Sequence, residues 1–455
     1  KSGTKELLVK VKEKHNLLDN LIGNFGIGFY SVFMVADNVV LESRRVTCSE
    51  NNAVRWISSG KETFSIENIR KVAYGTKIIL HMSENGKIFL NSEKIESIVK
   101  KYSNHIIYPI ILNGNKVLND KFPIWKKKKE SITYDEYENF YKNLTNDNIS
   151  PISFLHLNIE GNIEYTALFY IPSKFSFDMY LNKNIGGLKL YVKNVFVLDV
   201  LDKFLPNYLR FIKGIIDIDN LNLNISRDIL QETKLIENIK TSITKKILKF
   251  LEKLSSDNID VYNKFWKNFG KIIKEGVIED QNNIFFLFEL FRFSSTFDLS
   301  GEQNTSLKDY LKKTNNKEKI FYLQIDDFNT GIFSPHLEYF KKEKIEVLLL
   351  TDKIDEWIIT DHTDYDKKKF LSVKNFKINN ENLVLNEKEN IILNKIKLLL
   401  KDKVSDVRFS KMLIDYPSRV ILDNLHTNSQ IKKIMLLSGQ KIPEKKYILE
   451  LNHSH

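Results

Sequence analysis

Three glycines, Gly23, Gly26 and Gly28, sit close together in the stretch L-I-G-N-F-G-I-G-F-Y-S of residues 21–31. Glycine opens backbone dihedrals closed to other residues and lets the main chain come close to a ligand. The apolar run that follows, residues 29–37, reads as a helix. A glycine-rich turn ahead of a helix start aims several N–H groups, and the positive end of the helix dipole, at one point. The chemistry on offer is phosphate binding through backbone amides. The same spacing also serves as a tight turn in a small core, and the pattern alone does not separate the two.

Other segments narrow the choice. The chain opens K-S-G-T-K-E-L-L, and Y-G-T-K-I-I-L follows at residues 74–80. Far downstream come N-Y-L-R-F-I-K-G-I-I-D at 207–217 and L-N-L-N-I-S-R-D-I-L-Q at 221–231. In that order and at those separations the chain resembles the Hsp90 chaperones, in particular the bacterial high-temperature protein G type, over its whole length.

The resemblance implies an ATP site and names its residues. Gly23, Asn24, Phe25, Gly26, Ile27, Gly28 and Phe29 would hold the β- and γ-phosphates of ATP through backbone amides, with Phe29 capping them. Asn24 stands where the family has glutamine. Lys1 matches a lysine that contacts phosphate from the edge of a lid formed by residues 2–21, with Gly3 and Gly23 as hinges. Thr76 matches the threonine that meets adenine; by itself it is also an ordinary β-branched strand residue. Arg227 matches the arginine that reaches the γ-phosphate from the next domain, a rigid fork of donors suited to growing charge. Gln231, four residues on, shares its face if the segment is helical. Asn222 and Asp228 replace the family's proline and glutamate. The family's general base, its Mg²⁺ ligand and its D-x-G-x-G adenine loop would all precede Lys1, and no D-x-G-x-G occurs in these 455 residues. On that count the chain as written is expected to hydrolyse ATP weakly or not at all. The helices that dimerise the family would follow residue 455.

Composition bounds the rest. At 455 residues there is room for two to four domains. The single cysteine, Cys48, excludes an intramolecular disulfide, suits a reducing, cytoplasmic setting and reads as a small, partly buried residue. No apolar run reaches membrane-spanning length. The formal charge of +11 taken alone favours an acidic partner. Its lysines, however, are scattered among Asn, Ile and Glu, so the balance reads as compositional drift and no nucleic-acid partner is expected. Residues 126–129, the one dense lysine run, read as a solvated loop face. No metallohydrolase, thiol-redox or serine-hydrolase motif competes. The nine histidines are scattered, with His453 and His455 in a frayed tail.

The expected fold class is α/β. Residues 1–112 would form part of an ATPase sandwich of the Bergerat type, with strands near 38–47, 56–66 and 76–82 and a helix over 93–103. Residues 113–122 read as a linker. Residues 123–386 would be a middle domain with strands at 163–171 and 188–198, helices over 236–254 and 261–275, and a small βαβ unit from 319–324, 334–342 and 346–350. A soft boundary at 375–390 leads to residues 387–455, part of a C-terminal dimerisation domain. A helix near 391–400, a strand near 404–409 and an amphipathic segment at 429–437 are expected there.

The favoured function is an ATP-driven chaperone, a homodimer when intact, that holds partly folded clients on exposed apolar surface, with Trp357 and Met435 as candidates. A buried core role for each is the plain alternative. Two other readings stay open: a DNA-handling ATPase of the wider gyrase and mismatch-repair superfamily, and a non-hydrolysing remnant that only holds clients.

Overall fold

The computed structural model describes residues 28–106, 108–119, 122–161, 164–174, 187–199, 201–218, 233–314, 319–376, 385–422 and 447–455. It is an α/β structure, as expected. Gly28–Met34 is a 3₁₀ turn leading into strand β1 (Ala36–Arg44). The helix expected over 29–37 is therefore shorter. Ala36 already pairs with Met82, and Asp37 is the bulged residue at the start of a strand whose following Val39-Val40-Leu41 favours extended backbone.

β1 joins β2 (Ala53–Ser58), β3 (Phe64–Ile69) and β4 (Gly75–Met82) in an antiparallel sheet of order β3-β2-β1-β4. Residues 56–66, read as one extended segment, are thus two strands, turned around Gly60 at φ +76°. The register makes the sheet two-faced. Leu41, Trp56, Ile66 and Ile78 share one side, while Arg55 bridges Glu42 at 2.9 Å and Glu67 at 2.8 Å on the other. The 3₁₀ turn lies on the apolar side, where Phe29 and Phe33 meet the Trp56 ring edge-on at 5.8 and 6.4 Å. That side is only partly covered, with Phe64 and Ile66 each 62% exposed.

Helix α1 (Ser92–Tyr102) is capped by the Asn91 side chain, which accepts from the Glu93 and Lys94 amides. Beyond it the expected linker is folded where it is described. Strands β5 (Ile111–Leu112) and β6 (Lys116–Val117) form a hairpin turned by Asn113 and Gly114 at positive φ. Buried Asn119 accepts from the Ile110 amide and donates to the Ile106 and Tyr108 carbonyls. Its polar composition serves internal hydrogen bonds.

Helix α2 (Tyr134–Thr145) covers one face of a second sheet, β10-β9-β11-β8-β7, made from β7 (Ser153–Ile159), β8 (Tyr165–Ile171), β9 (Leu188–Val192), β10 (Val195–Asp199) and β11 (Lys213–Ile218). Residues 188–198 are a hairpin turned at Lys193 and Asn194, both at positive φ. Every residue of β8 is buried, because both faces of this strand are covered. Leu168 and Tyr170 pack with Trp125 and Tyr141 on the α2 side. Ala167, Phe169 and Ile171 join the main core against α3 (Thr233–Asp257) and α4 (Ile259–Glu279). The stripe read in the sequence faces that core, with Ile236, Ile239, Ile243 and Ile247 buried.

After α5 (Ile284–Leu290) comes a third sheet, β12-β14-β13-β16-β15, from β12 (Ser294–Ser295), β13 (Lys319–Gln324), β14 (Leu348–Leu350), β15 (Asp364–Tyr365) and β16 (Lys368–Ser372). Helices α6 (Leu307–Lys313), α7 (Glu338–Lys342) and α8 (Lys353–Asp361) connect its strands. β13 and β14 pair in parallel, so the expected βαβ unit is present. Its crossover passes through a short helical turn at Phe328–Gly331 and a 3₁₀ turn at Pro335–Leu337 before α7, where a single helix over 334–342 was expected.

The last sheet, β17-β19-β18, combines β17 (Val404–Ser410), β18 (Ser418–Leu422) and β19 (Tyr447–Asn452), with α9 (Glu387–Leu399) beside it. α9 begins inside the stretch read as a soft boundary. His453 is not frayed: its Nε2 lies 3.0 Å from Glu389, and its ring is 5.3 Å from Phe409. Residues 429–437 lie outside the described residues. Among the described residues no helix is long and apolar enough to cross a membrane.

Candidate functional site

Three of the expected nucleotide residues are described, and they share one face of the first sheet. Gly28 and Phe29 open the 3₁₀ turn that lies on this face. Thr76 stands in β4 opposite Ser43, and the two hydroxyls share a 2.9 Å hydrogen bond. Ser43, Leu41 and Val39 alternate on β1, so Thr76 points to the same side as Ile78 and Trp56. Thr76 is exposed and Ile78 is 46% exposed. A Cβ at Gly28 would meet nothing within 4 Å. The Phe29 ring packs against Trp56.

Lys1, Gly23, Asn24, Phe25, Gly26, Ile27, Arg227 and Gln231 lie outside the described residues, as do residues 2–21, Asn222, Asp228 and Met435. The elements flanking the Arg227 motif are described. The K-G-I-I-D run is β11, paired on both sides in the second sheet, and α3 begins at Thr233, two residues past Gln231. Asp217 near the end of β11 is fully buried. It accepts from Trp125 Nε1 at 2.8 Å and lies 3.6 Å from Lys126 Nζ. One residue of the lysine run therefore anchors a buried carboxylate, and Lys127 pairs with Glu136.

An exposed hydroxyl beside open apolar strand surface suits the edge and face of an adenine ring. Magnesium finds less here. The described residues of this face offer hydroxyls and apolar groups, and among the described residues no group of three or more His, Cys, Asp or Glu could hold a metal.

A second polar centre escaped the sequence reading. Lys274, inside the apolar face of α4, is wholly buried and lies 2.8 Å from both Asp352 and Asp355. Its ammonium also sits 4.9 Å from the Phe293 ring centre. Gln303 donates to Asp352 and Thr351 while accepting from Trp266 Nε1. Burial disfavours each charge, but the two carboxylates outweigh it and push the Lys274 ammonium up. Burial likewise opposes ionisation of Asp352, yet Lys274, Gln303 and Lys271 hold its carboxyl below the usual range. Burial wins at Asp355, whose carboxyl is pushed up. A lysine among Phe269, Ile272, Ile273 and Val277 is the signal that would have exposed this centre. Beside it a cleft of about 720 Å³ runs between α4 and the 301–304 loop, with Lys264, Lys267 and Lys271 on one wall. Gly28, Phe29 and Thr76, the described residues of the expected nucleotide site, do not line it. Trp357, a client candidate, is half-buried on α8.

Comparison with known proteins settles the family. The Hsp90 protein family model matches residues 111–455. The chain belongs to the Hsp90 family. Chaperone protein HtpG of Wigglesworthia glossinidia brevipalpis is 44% identical over 484 aligned positions, covering all of this chain and 76% of the relative. Chaperone protein HtpG of Buchnera aphidicola subsp. Baizongia pistaciae is 42% identical over 474, and that of Cronobacter sakazakii 40% over 477, with the same coverage. These alignments take in the first sheet, which precedes the family-model match. The Hsp90 assignment, of bacterial HtpG type, thus extends over the whole chain and decides against the DNA-handling alternative.

Proposed function

We propose that this Hsp90-family chain works as an ATP-dependent molecular chaperone. Its first unit, residues 1–112, would hold ATP on the sheet face that carries Thr76, Gly28 and Phe29. The middle unit, residues 123–386, would bring Arg227 to the γ-phosphate, with Gln231 on the same face. Residues 387–455 would belong to the unit through which two copies associate. The observation that carries this reading is the shared face of Phe29 and Thr76 in a chain whose curated relatives are named as chaperones.

In this reading Gly23 to Gly28 and Lys1 contact the phosphates, Thr76 meets adenine, and Asn24 offers a shorter amide than the family's glutamine. ATP supplies the free energy that closes the units on one another. Magnesium, which neutralises phosphate charge in such chemistry, takes its protein ligand from outside this set. Clients are partly folded proteins held on exposed apolar surface, with Trp357 and Met435 as the candidate contacts, and the setting is cytoplasmic.

Arg227→Ala in the full-length gene product tests the assignment. ATP affinity should change little and the hydrolysis rate should fall by about 10²-fold or more, since the contact serves the transition state. Lysine should rescue poorly, because a point charge lacks the planar fork. Hydrolysis by the alanine variant at the parent rate would refute the role of Arg227.

A further inference from the structure

The junction between the third sheet and the terminal sheet is built around one carboxylate. Glu338 is the first residue of α7, 9% exposed. Its Oε2 accepts from the Ile414 amide at 2.8 Å, and its Oε1 from the amides of Asp415 at 3.0 Å and Tyr416 at 2.9 Å. Three successive backbone N–H groups converging on one anion form a nest. The far side of the nest is braced by Asn452 at the end of β19, whose side-chain amide donates to the Ile414 and Tyr416 carbonyls at 2.8 and 3.1 Å. The concavity thus belongs to the terminal sheet and its occupant to the third.

Among the described residues, apolar contact at this joint is thin: the cluster formed by Phe321, Leu337, Phe340 and Val373 receives one buried side chain from beyond residue 376, that of Met412. A charge-assisted triple hydrogen bond is roughly twice as strong per bond as a neutral one and is directional. The carboxylate, more than the apolar contact, sets the angle between the two sheets.

We infer that Glu338 is a coupling latch, an internal carboxylate filling an anion nest at Ile414, Asp415 and Tyr416 so that the third and terminal sheets turn as one body. If the chain cycles as proposed above, movement of the terminal unit enters the middle sheets here. That clause alone rests on the ATP-driven reading.

Two measurements independent of ATP test the latch. Amide exchange is followed at residues 414–416. Spin-label distances are measured between Lys342→Cys on α7 and Lys395→Cys on α9, in a Cys48→Ser background. Glu338→Ala should raise exchange at these amides by about tenfold to a hundredfold, the range for losing hydrogen bonds to a charged group. It should also broaden the distance distribution. Excess sodium acetate, which can refill the nest, should reverse both effects, while sodium chloride at equal ionic strength should not. Unchanged exchange, an unchanged distribution, or rescue by chloride as good as by acetate would overturn the inference. Should the alanine variant fail to fold, Glu338→Gln keeps the side-chain volume but sets an NH₂ against the nest. The same broadening is expected, and a parent-like distribution would refute the latch.

Discussion

Lys274 Nζ lies 2.8 Å from Asp355, and neither side chain is open to solvent. The pair ties α4 to α8 through a salt bridge that Asp352 extends and Lys271 continues at 3.5 Å toward the surface. A buried pair of this kind contributes little net stability over a well-packed apolar substitute, but breaking one side leaves an uncompensated buried charge.

Lys274→Met should therefore destabilise the protein by about 3–5 kcal/mol. Adding Asp355→Leu should recover part of the loss, because the second change removes the stranded carboxylate. Urea denaturation of both single variants and the double variant measures the coupling. Additive losses would show that the two groups act independently.

His336 makes the joint near the terminal sheet sensitive to acid. Burial, then the positive charges of Arg419 and Lys374, outweigh the attraction of Glu450 and push its imidazole down to about 4. The unfolded chain binds the proton near pH 6.5, so between about pH 6.5 and 4 it holds more protons than the folded one. Stability from this group is complete above pH 6.5 and declines as pH falls toward 4. A loss of about 1–2 kcal/mol between pH 7 and 5 is expected, at 1.36 kcal/mol per unit. His336→Gln should flatten that part of the curve, and an identical pH profile for the variant would contradict it.

Gly214 occupies β11 at φ +155°, where an added Cβ would lie 2.1 Å from the Leu168 carbonyl oxygen. Leu168 is in β8, the neighbouring strand of the second sheet. Gly214→Ala must strain the backbone or part the two strands, and a cost of about 2–4 kcal/mol follows. Thermal and urea unfolding read it directly.

Thr76→Val keeps the β-branched shape in β4 and removes the hydroxyl bonded to Ser43. If this face meets adenine as proposed, nucleotide affinity should weaken by about three- to tenfold, the worth of one modest hydrogen bond. Hydrolysis at saturating ATP should stay near the parent rate. Parallel binding titrations and rate measurements on the full-length gene product separate these effects, and unaltered affinity would remove Thr76 from the adenine contact.

Long amphipathic elements were legible in the residue order. The stripe from Ile236 to Ile247 faces the main core, and the strands around Val39, Phe321 and Val407 appear where β-branched and aromatic runs place them. These signals are local, set by periodicities of 3.6 and 2 residues. Two reversals were missed. At residues 56–66 the run S-S-G-K-E-T did carry a turn signal that the sequence reading passed over, whereas within 188–198 only Lys193-Asn194 interrupts an apolar stretch.

The chain's own residues, in order and spacing, determined its membership of the Hsp90 family and the residue types proposed for ATP. Only tertiary structure decided which polar groups are buried together. Lys274 with Asp355 is a pairing 81 positions apart, and Glu338 meets amides 76 to 78 positions away. Periodicity carries no information about such partners. A buried charge is tolerated only where the fold brings a counter-charge or donors to it, and that juxtaposition exists only once the sheets have packed.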